Sequence, residues 1–311
     1  MSLDYASSLS PYPNKGVLGL PEIADSNELV SKKCDTLYEL IQKSNHIVVI
    51  TGAGLSTSCG IPDFRGPKGV WTLEKKGLKP DLSIAFDDAT PSFAHYALNE
   101  LCKIGKIQFV ISQNIDGLHM KSGLAINRLA EVHGNMFVQK CNLCHSKYLM
   151  KKCTPTIGLK PTGIKCSKEK TKGFCRGNLF DTILDWEDEL PNEEMSKSEL
   201  NCKKSDLIIC LGTSLQIMPV GNYPLLTKKN NGIIVIVNLQ KTRLDDQADL
   251  VIHAKLDLVF EILANKMSLQ VPRKIEINLK LDNDDDKNNF LLKVKNHVID
   301  SAYVNHQESK S

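Results

Sequence analysis

A glycine-rich turn follows the first strongly apolar run of the sequence. Gly52 and Gly54 come directly after residues 46–50, with Ala53 between them and Ser56 beyond. Glycines after a buried strand let the backbone approach a pyrophosphate, and the N-terminus of a following helix favours its negative charge. The turn therefore predicts a dinucleotide site, although a tight structural turn would use the same glycines. The third glycine and the acidic ribose residue of a dehydrogenase fingerprint are missing, which argues against hydride transfer.

A second loop, residues 60–66, places an acid, an aromatic ring and a guanidinium in succession at Asp63, Phe64 and Arg65. Such a loop is suited to covering a ribose and steering a phosphate. The alternative is that Phe64 belongs to the core and that Asp63 and Arg65 form an exposed ion pair, which would contribute little to stability.

Amide and carboxylate side chains follow the next apolar run, at Gln113, Asn114 and Asp116. Open α/β sheets bind ligands at the carboxyl ends of their strands, where this group is expected to lie. His133 stands farther along with Gly134 beside it, which we interpret as leaving room for a ligand. Histidine is the side chain best suited to general-base chemistry near neutral pH, although a single histidine is more often structural.

Two later apolar runs also end in polar turns. Gly212, Thr213 and Ser214 follow the fourth run, and Asn238 with Gln240 closes the fifth. The first group suits a phosphate and the amides suit an adenosine ribose, whereas each turn taken separately is also ordinary turn chemistry. Their shared position at strand ends is what favours a binding site.

Cysteine spacing predicts a metal site. Cys141 and Cys144 form a CxxC pair, and Cys166 and Cys175 form a wider pair with eight residues between them. Four thiolates make a closed tetrahedral zinc site, which is structural because no position remains for water. Cys153 is the rival fourth ligand. Cysteines elsewhere in the chain are interpreted as buried, inert thiols.

The elements that must position these groups form an α/β pattern. Apolar residues recur at helical spacing over 27–44, and short continuous apolar runs follow, separated by segments long enough for crossover helices. Buried parallel strands have this appearance, so we predict a Rossmann-like doubly wound parallel sheet with a small inserted zinc-binding module. The runs are 46–50, 109–111, 207–211, 233–237 and 251–252.

Length and composition fit this architecture. The 311 residues are 41% hydrophobic and 24% charged, which is the profile of a folded enzyme-sized protein. We predict an N-terminal segment (1–26), a catalytic domain (27–265) carrying the inserted module at about 139–180, and a C-terminal extension (266–311) of unknown role. A net charge of +3 does not by itself indicate nucleic-acid binding, and the sequence shows neither a secretory signal nor a membrane span.

Taken in order, six of these stretches resemble the signature of the sirtuin family: 52–56, 60–66, 113–119, 133–135, 212–214 and Asn238. Residues 5–23, 67–72 and 184–188, together with the wide second cysteine pair, are similar to the sirtuin-six branch of nuclear sirtuins. The resemblance covers about residues 3–265 and leaves out the tail.

The resemblance implies an NAD-dependent protein-lysine deacylase that releases nicotinamide and O-acyl-ADP-ribose, with NAD as co-substrate and one structural zinc ion. His133 would be the base that acts on the ribose hydroxyls, Asn114 and Asp116 would hold the ribose and the nicotinamide amide, and Phe64 would keep water away. The positions expected to bind the cofactor are Gly52, Ala53, Gly54, Thr57, Asp63, Phe64, Arg65, Trp71, Gln113, Asn114, His133, Gly212, Thr213, Ser214, Asn238, Gln240 and Leu256.

The resemblance also implies partners and a location. Acylated protein or histone tails are the expected substrates, the nucleosome is a further candidate partner, no membrane is involved, and the expected location is the nucleus. A protein mono-ADP-ribosyltransferase is one alternative. Another is a chromatin-binding module that uses the four cysteines and the lysine-rich stretch 165–172. Acyl-chain preference and oligomeric state stay open.

Overall fold

The structure is a computed structural model that describes residues 9–80, 84–171 and 173–272, with the backbone of three short strands beyond them. The strands are β1 (Ile47–Thr51), β2 (Ile107–Ser112), β3 (Leu129–Glu131), β4 (Val138–Cys141), β5 (Lys147–Met150), β6 (Pro161–Lys165), β7 (Asn178–Asp181), β8 (Leu207–Leu211), β9 (Ile233–Val237), β10 (Leu250–Ile252), β11 (Ile277–Leu279), β12 (Leu291–Val294) and β13 (Val304–His306). The α-helices are α1 (Asn27–Lys43), α2 (Val70–Lys75), α3 (Phe93–Lys103), α4 (Leu118–Lys121), α5 (Asn192–Lys204), α6 (Tyr223–Lys229) and α7 (Leu256–Met267).

The central sheet has six strands in the order β10-β9-β8-β1-β2-β3, and every neighbouring pair is parallel. All five residues of β1 and of β8 are buried, as a central strand covered on both faces requires. The predicted doubly wound parallel sheet is confirmed, and the five apolar runs coincide with five of its strands.

Helices cover both faces of this sheet and so produce three layers. One core contains the buried sides of α1, α3 and α7 with alternate strand residues such as Val49 and Ile209. The other core contains Val48 and Ile208 packed with Cys202 of α5 and Tyr223 of α6. The predicted helix over 27–44 is α1, which begins after Ser26, whose hydroxyl accepts a hydrogen bond from the Leu29 amide.

The chain reverses its direction of strand addition between β1 and β8. In parallel sheets a ligand crevice opens outside the strand ends at such a switch point. The turns that follow the two strands meet there, because the Gly54 amide donates to the Gly212 carbonyl at 2.9 Å. A Cβ atom on Gly54 would lie 2.8 Å from the Cα of Gly212, so only glycine allows this approach.

A second sheet has four strands inserted between β3 and α5 and a fifth strand, β12, that follows α7 in the chain. Its order is β12-β5-β4-β7-β6, and its neighbouring strands are antiparallel. Four of these strands lie within residues 138–181, the stretch for which the sequence predicts an inserted module, while the exact domain boundaries stay a prediction. Among the described residues, no helix combines the length and the apolar character needed to cross a membrane.

Candidate functional site

A cavity of about 370 Å³ opens at the carboxyl ends of the central strands. Its wall combines the turns after β1 and β8, the loop 63–65, the residues after β2, and His133. Most of the side chains expected to bind a cofactor therefore meet in one place. The predicted residues that line the cavity are Gly52, Ala53, Gly54, Asp63, Phe64, Arg65, Trp71, Gln113, Asn114, His133, Gly212, Thr213, Ser214, Asn238 and Gln240.

His133 is held in one orientation by backbone. Its Nδ1 atom lies 2.9 Å from the carbonyl oxygen of Gln113. A carbonyl oxygen can only accept, so Nδ1 carries the proton and Nε2 keeps its lone pair. Burial lowers the pKa of His133, while the bond to Gln113 opposes that shift. The imidazole is therefore neutral and basic at Nε2 near pH 7, which is the state required of a general base.

The side chains of Asn114 and Asp116 are both held by hydrogen bonds to other parts of the protein. The Asn114 side-chain amide donates to the Gly52 carbonyl at 3.0 Å and to the Ser56 hydroxyl at 3.3 Å. Asp116 accepts from the Ser56 hydroxyl at 2.6 Å and from the Leu118 amide at 2.9 Å. Burial raises the pKa of the Asp116 carboxyl, and both of its oxygens are occupied inside the protein. Asn114 lines the cavity, whereas Asp116 lies behind the wall and supports it through Ser56.

Arg65 lines the cavity and has a buried nitrogen without a hydrogen-bond partner. Its Nε donates to the Lys15 carbonyl at 2.9 Å, and its guanidinium lies over the Trp71 ring at 4.6 Å from the ring centre. The Nη2 atom of Arg65 is buried and has no hydrogen-bond partner. Burial lowers the pKa of Arg65 to about 10, so it remains charged at neutral pH. A buried guanidinium nitrogen without a partner in a cavity wall fits the phosphate oxygens of a dinucleotide.

Two of the expected cofactor positions lie outside the cavity lining. Thr57 is exposed, and its hydroxyl donates to the Gly54 carbonyl at 3.0 Å. Leu256 begins α7 and packs in the core on one face of the sheet. Gly134 also differs from its interpretation, because a Cβ atom there would lie 1.9 Å from the Thr182 carbonyl oxygen. This glycine is required by the close approach of residues 182–183 and leaves no room for a ligand.

Some residues that line the cavity come from segments outside the predicted cofactor motifs. Leu9 and Tyr12 line it from the N-terminal segment, and Trp186 and Asp185 line it from the loop after β7. The Tyr12 and Trp186 rings are stacked, with centres 4.4 Å apart and planes inclined by 18°. The resemblance did draw attention to residues 184–188, but no local pattern places Tyr12 against them.

The four predicted cysteines meet in the inserted sheet. The sulfur atoms of Cys141, Cys144, Cys166 and Cys175 all lie within 4.8 Å of one another, and Cys153 is not part of this group. Within this group, the sulfurs of Cys144 and Cys166 are 3.5 Å apart and those of Cys141 and Cys175 are 3.8 Å apart. A tetrahedral zinc ion with bonds of about 2.3 Å requires sulfurs roughly 3.8 Å apart, which these spacings match.

Groups around the cysteines support thiolate ligands. The amides of Leu143 and Cys144 point at the Cys141 sulfur at 3.4 and 3.5 Å, and the Tyr148 hydroxyl lies 3.0 Å from the Cys166 sulfur. A Cβ atom on Gly177 would lie 2.4 Å from the Cys141 sulfur, so glycine there keeps the ligand in place. The donor set and its surroundings fit a closed structural zinc ion.

The sequence of this chain matches a known protein family and is similar to the sequences of known proteins. A profile of the Sir2 family matches residues 52–219. An NAD-dependent protein deacetylase of Drosophila melanogaster is 47% identical over 279 residues, which cover 89% of this chain and 88% of that protein. One of Arabidopsis thaliana is 50% identical over 280 residues, 90% of this chain, but the chain spans only 58% of that longer protein.

Solved structures give the same result for the fold. A Sir2 structure with a deacetylated p53 peptide and 3′-O-acetyl-ADP-ribose matches with a TM-score of 0.59 at 27% identity. The match covers 76% of this chain and 99% of that one.

Proposed function

The chain belongs to the Sir2 family, and we propose that it is an NAD-dependent protein-lysine deacylase that removes acetyl or longer acyl groups. The reaction would consume one water, and its products would be the free lysine, nicotinamide and O-acyl-ADP-ribose. One observation carries the proposal: His133, fixed as a base by the Gln113 carbonyl, lines the same cavity as the glycine turn at 52–54 and the unpaired Arg65 nitrogen. A base beside a dinucleotide site is what such a transfer to a ribose hydroxyl requires.

NAD would be held by groups that converge on the cavity. The Gly52 and Gly54 turn would approach the pyrophosphate closely, Arg65 would donate Nη2 to a phosphate oxygen, and Asn238 with Gln240 would meet the adenosine ribose. When bound, NAD supplies an activated ribose carbon with nicotinamide as its leaving group.

The chain's own groups would orient the reactants and move one proton. His133 would accept at Nε2 the proton of a ribose hydroxyl, so that this hydroxyl can attack the acyl carbon and the lysine amine can leave. Asn114, fixed by the Gly52 carbonyl, would hold the ribose in place, and Asp116 would contribute by fixing Ser56 and the loop around it. The Phe64 ring centre lies 4.8 Å from the Trp71 ring centre, and Phe64 would keep water from the ribose carbon that nicotinamide leaves.

The acylated peptide would lie between the Trp186 loop and residues 216–219, both of which border the cavity. A peptide in this position would add a strand and gain affinity from backbone hydrogen bonds. The zinc ion would play no part in the reaction, since four thiolates leave no open position; its role would be to hold the inserted sheet together.

The test is nicotinamide release from NAD with acetylated and with myristoylated histone-tail peptides, for the wild type and His133→Ala. Release that requires both the acyl-peptide and His133, with O-acyl-ADP-ribose identified by mass, supports deacylation and ranks the two acyl groups. ADP-ribose found covalently attached to protein instead would identify a mono-ADP-ribosyltransferase. O-acyl-ADP-ribose formation that His133→Ala leaves unchanged contradicts the proposed mechanism.

A nucleosome contact is a second candidate function, and the surface of the inserted sheet favours it. Lys165, Lys168, Lys170 and Arg176 are exposed beside the cysteine group, and the Phe174 side chain next to them is 64% exposed. Lys172 lies outside the described residues. Nucleosome binding that weakens steeply with salt, and that charge-removing substitutions of these lysines reduce, supports this contact. The nuclear location belongs to the same proposal.

A further inference from the structure

The N-terminal segment 9–19, which we call the strap, contacts three separate walls of the cavity. At the first wall, the Ser10 amide lies 3.1 and 3.2 Å from the two Asp185 carboxylate oxygens, and the Ser10 hydroxyl donates to Asp185 at 2.8 Å. Tyr12 stacks on the neighbouring Trp186. This wall is one side of the proposed peptide cleft.

The strap next reaches the wall that carries Arg65. The Lys15 carbonyl accepts from Arg65 Nε at 2.9 Å, and the Gly19 amide donates to the Arg65 carbonyl at 2.9 Å. With Nε fixed by the strap and the guanidinium lying over Trp71, Nη2 is a buried nitrogen without a hydrogen-bond partner. The strap therefore orients the group proposed to bind the dinucleotide phosphate.

The third wall is the loop after β8. The Val17 amide donates to the Gln216 side-chain oxygen at 2.8 Å, and the Gln216 side-chain nitrogen approaches the Val17 carbonyl at 3.4 Å. Gly16 has φ = +73°, and a Cβ there would lie 2.1 Å from the same Gln216 oxygen. Backbone and side chain thus fit closely on the other side of the proposed peptide cleft.

Tyr12 occupies the junction of these contacts. Its ring lies 4.4 Å from the Trp186 ring and 5.9 Å from the Trp71 ring, and the two tryptophan rings are 5.3 Å apart. Trp186 belongs to the peptide side, whereas Trp71 supports the Arg65 guanidinium on the dinucleotide side. A ligand that fixes one wall therefore fixes the strap and, through Tyr12, the other wall.

We propose that Tyr12 is a positioning residue that makes the binding of the dinucleotide and of the acylated peptide mutually dependent. The inference rests on the proposed function for the identity of the two ligands. Its physical content is a coupling free energy between two subsites, which is reciprocal: each ligand must tighten the binding of the other by the same factor. The source of that factor is the shared Tyr12 ring, which contacts Trp186 on one wall and Trp71 on the other.

The chain offers a direct readout, because Trp71 and Trp186 are its two tryptophans and both line the cavity. Tryptophan fluorescence titrated with ADP-ribose, with and without a saturating acetyl-lysine peptide, gives two dissociation constants without any turnover. Their ratio is expected to be at least about fivefold in the wild type, within the usual range of such couplings. Tyr12→Phe keeps the ring and is expected to keep the ratio.

Tyr12→Ala is expected to reduce the ratio to below about twofold while leaving the melting temperature close to that of the wild type. Asn14→Ala is the matched control, since Asn14 is an exposed residue of the same strap. A wild-type ratio retained in Tyr12→Ala overturns the inference, and so does the absence of coupling in the wild type. Loss of the proposed function gives a different result: no acyl transfer from the wild type, with the coupling between the two ligands intact.

Discussion

The imidazole Nδ1 of His133 lies 2.9 Å from the carbonyl oxygen of Gln113. The same Gln113 donates from its side-chain amide to the Thr213 hydroxyl at 2.9 Å, in the turn after β8. One residue therefore joins the proposed base to the turn on the far side of the crevice. The proton at Nδ1 is fixed by a backbone acceptor that is present in every protonation state, so Nε2 remains the basic atom.

Replacing this base is expected to separate binding from chemistry. His133→Ala should lower NAD-dependent acyl transfer by about 10²–10⁴-fold, the usual contribution of a general base. ADP-ribose affinity should change by less than about threefold, because the phosphate-binding groups remain in place. Single-turnover product analysis and a fluorescence titration measure the two quantities. Loss of ADP-ribose binding equal to the loss of turnover would show that His133 is structural.

The pH dependence of turnover follows from the burial of His133. Burial lowers its pKa below the ordinary value of about 6.5, so the imidazole remains neutral as the pH falls past that value. The acid limb of kcat/KM is therefore expected to have its midpoint below about pH 6.5. A profile of kcat/KM from pH 5 to 9 with saturating peptide measures it. A midpoint above that of free histidine would contradict the assignment.

The sequence predicted the sheet because buried parallel strands are continuous apolar runs. The runs that became β1, β8 and β9 are five residues long and are flanked by polar turns. By contrast, β3 has three residues and ends in Glu131, which is too short to give a periodic signal. The binding turns were predicted for the same reason, since parallel strands bring their carboxyl ends to one edge.

What local sequence could not predict depends on residues far apart in the chain. Ser10 and Asp185 are separated by 175 positions in the sequence, and Tyr12 and Trp186 are separated by a similar number. No spacing rule therefore connects the members of either pair. Gly134 was associated with ligand space, whereas a carbonyl from residue 182 is what excludes a side chain there. In each case the determining contact is formed only by the tertiary packing.

Arg65 is expected to determine affinity for the dinucleotide through its buried Nη2 nitrogen, which has no hydrogen-bond partner. Arg65→Gln removes the charge and should weaken ADP-ribose binding by about 10–100-fold, as the loss of a charge-assisted hydrogen bond to phosphate predicts. Arg65→Lys should recover only part of this affinity, since an ammonium group cannot also donate to the Lys15 carbonyl in the same planar geometry. Isothermal calorimetry with ADP-ribose measures both variants. Unchanged affinity in Arg65→Gln would place the phosphate elsewhere.

Two buried histidines behind the site should make the fold sensitive to acid. His95 and His119 have ring centres 5.1 Å apart, and each has one buried ring nitrogen without a partner. Burial lowers the pKa of both, to about 4 for His119. Because their folded-state values are depressed, the unfolded chain binds more protons below about pH 6.5, and stability falls as the pH drops from there toward 4.

The contribution of His119 can be isolated with a variant that does not titrate. His119→Gln should lose less stability between pH 7 and pH 5 than the wild type, by about 2 kcal/mol in the free energy of unfolding. Urea unfolding at the two pH values measures the difference, and comparing the two proteins cancels the carboxylates, which titrate in both. Equal losses of stability in wild type and variant would mean that His119 is protonated in the folded protein.

The four-cysteine group predicts which substitutions remove the metal. Cys166→Ser should lower bound zinc from about one ion per chain to well below one and lower the melting temperature by roughly 10 °C, since the metal stabilises the folded inserted sheet. Cys153→Ser is the matched control, because Cys153 lies outside the group although its sequence position made it the rival ligand. It should keep the ion and the wild-type melting temperature. Metal analysis and thermal unfolding of the purified variants measure both effects, and loss of zinc from Cys153→Ser with retention in Cys166→Ser would reverse the assignment.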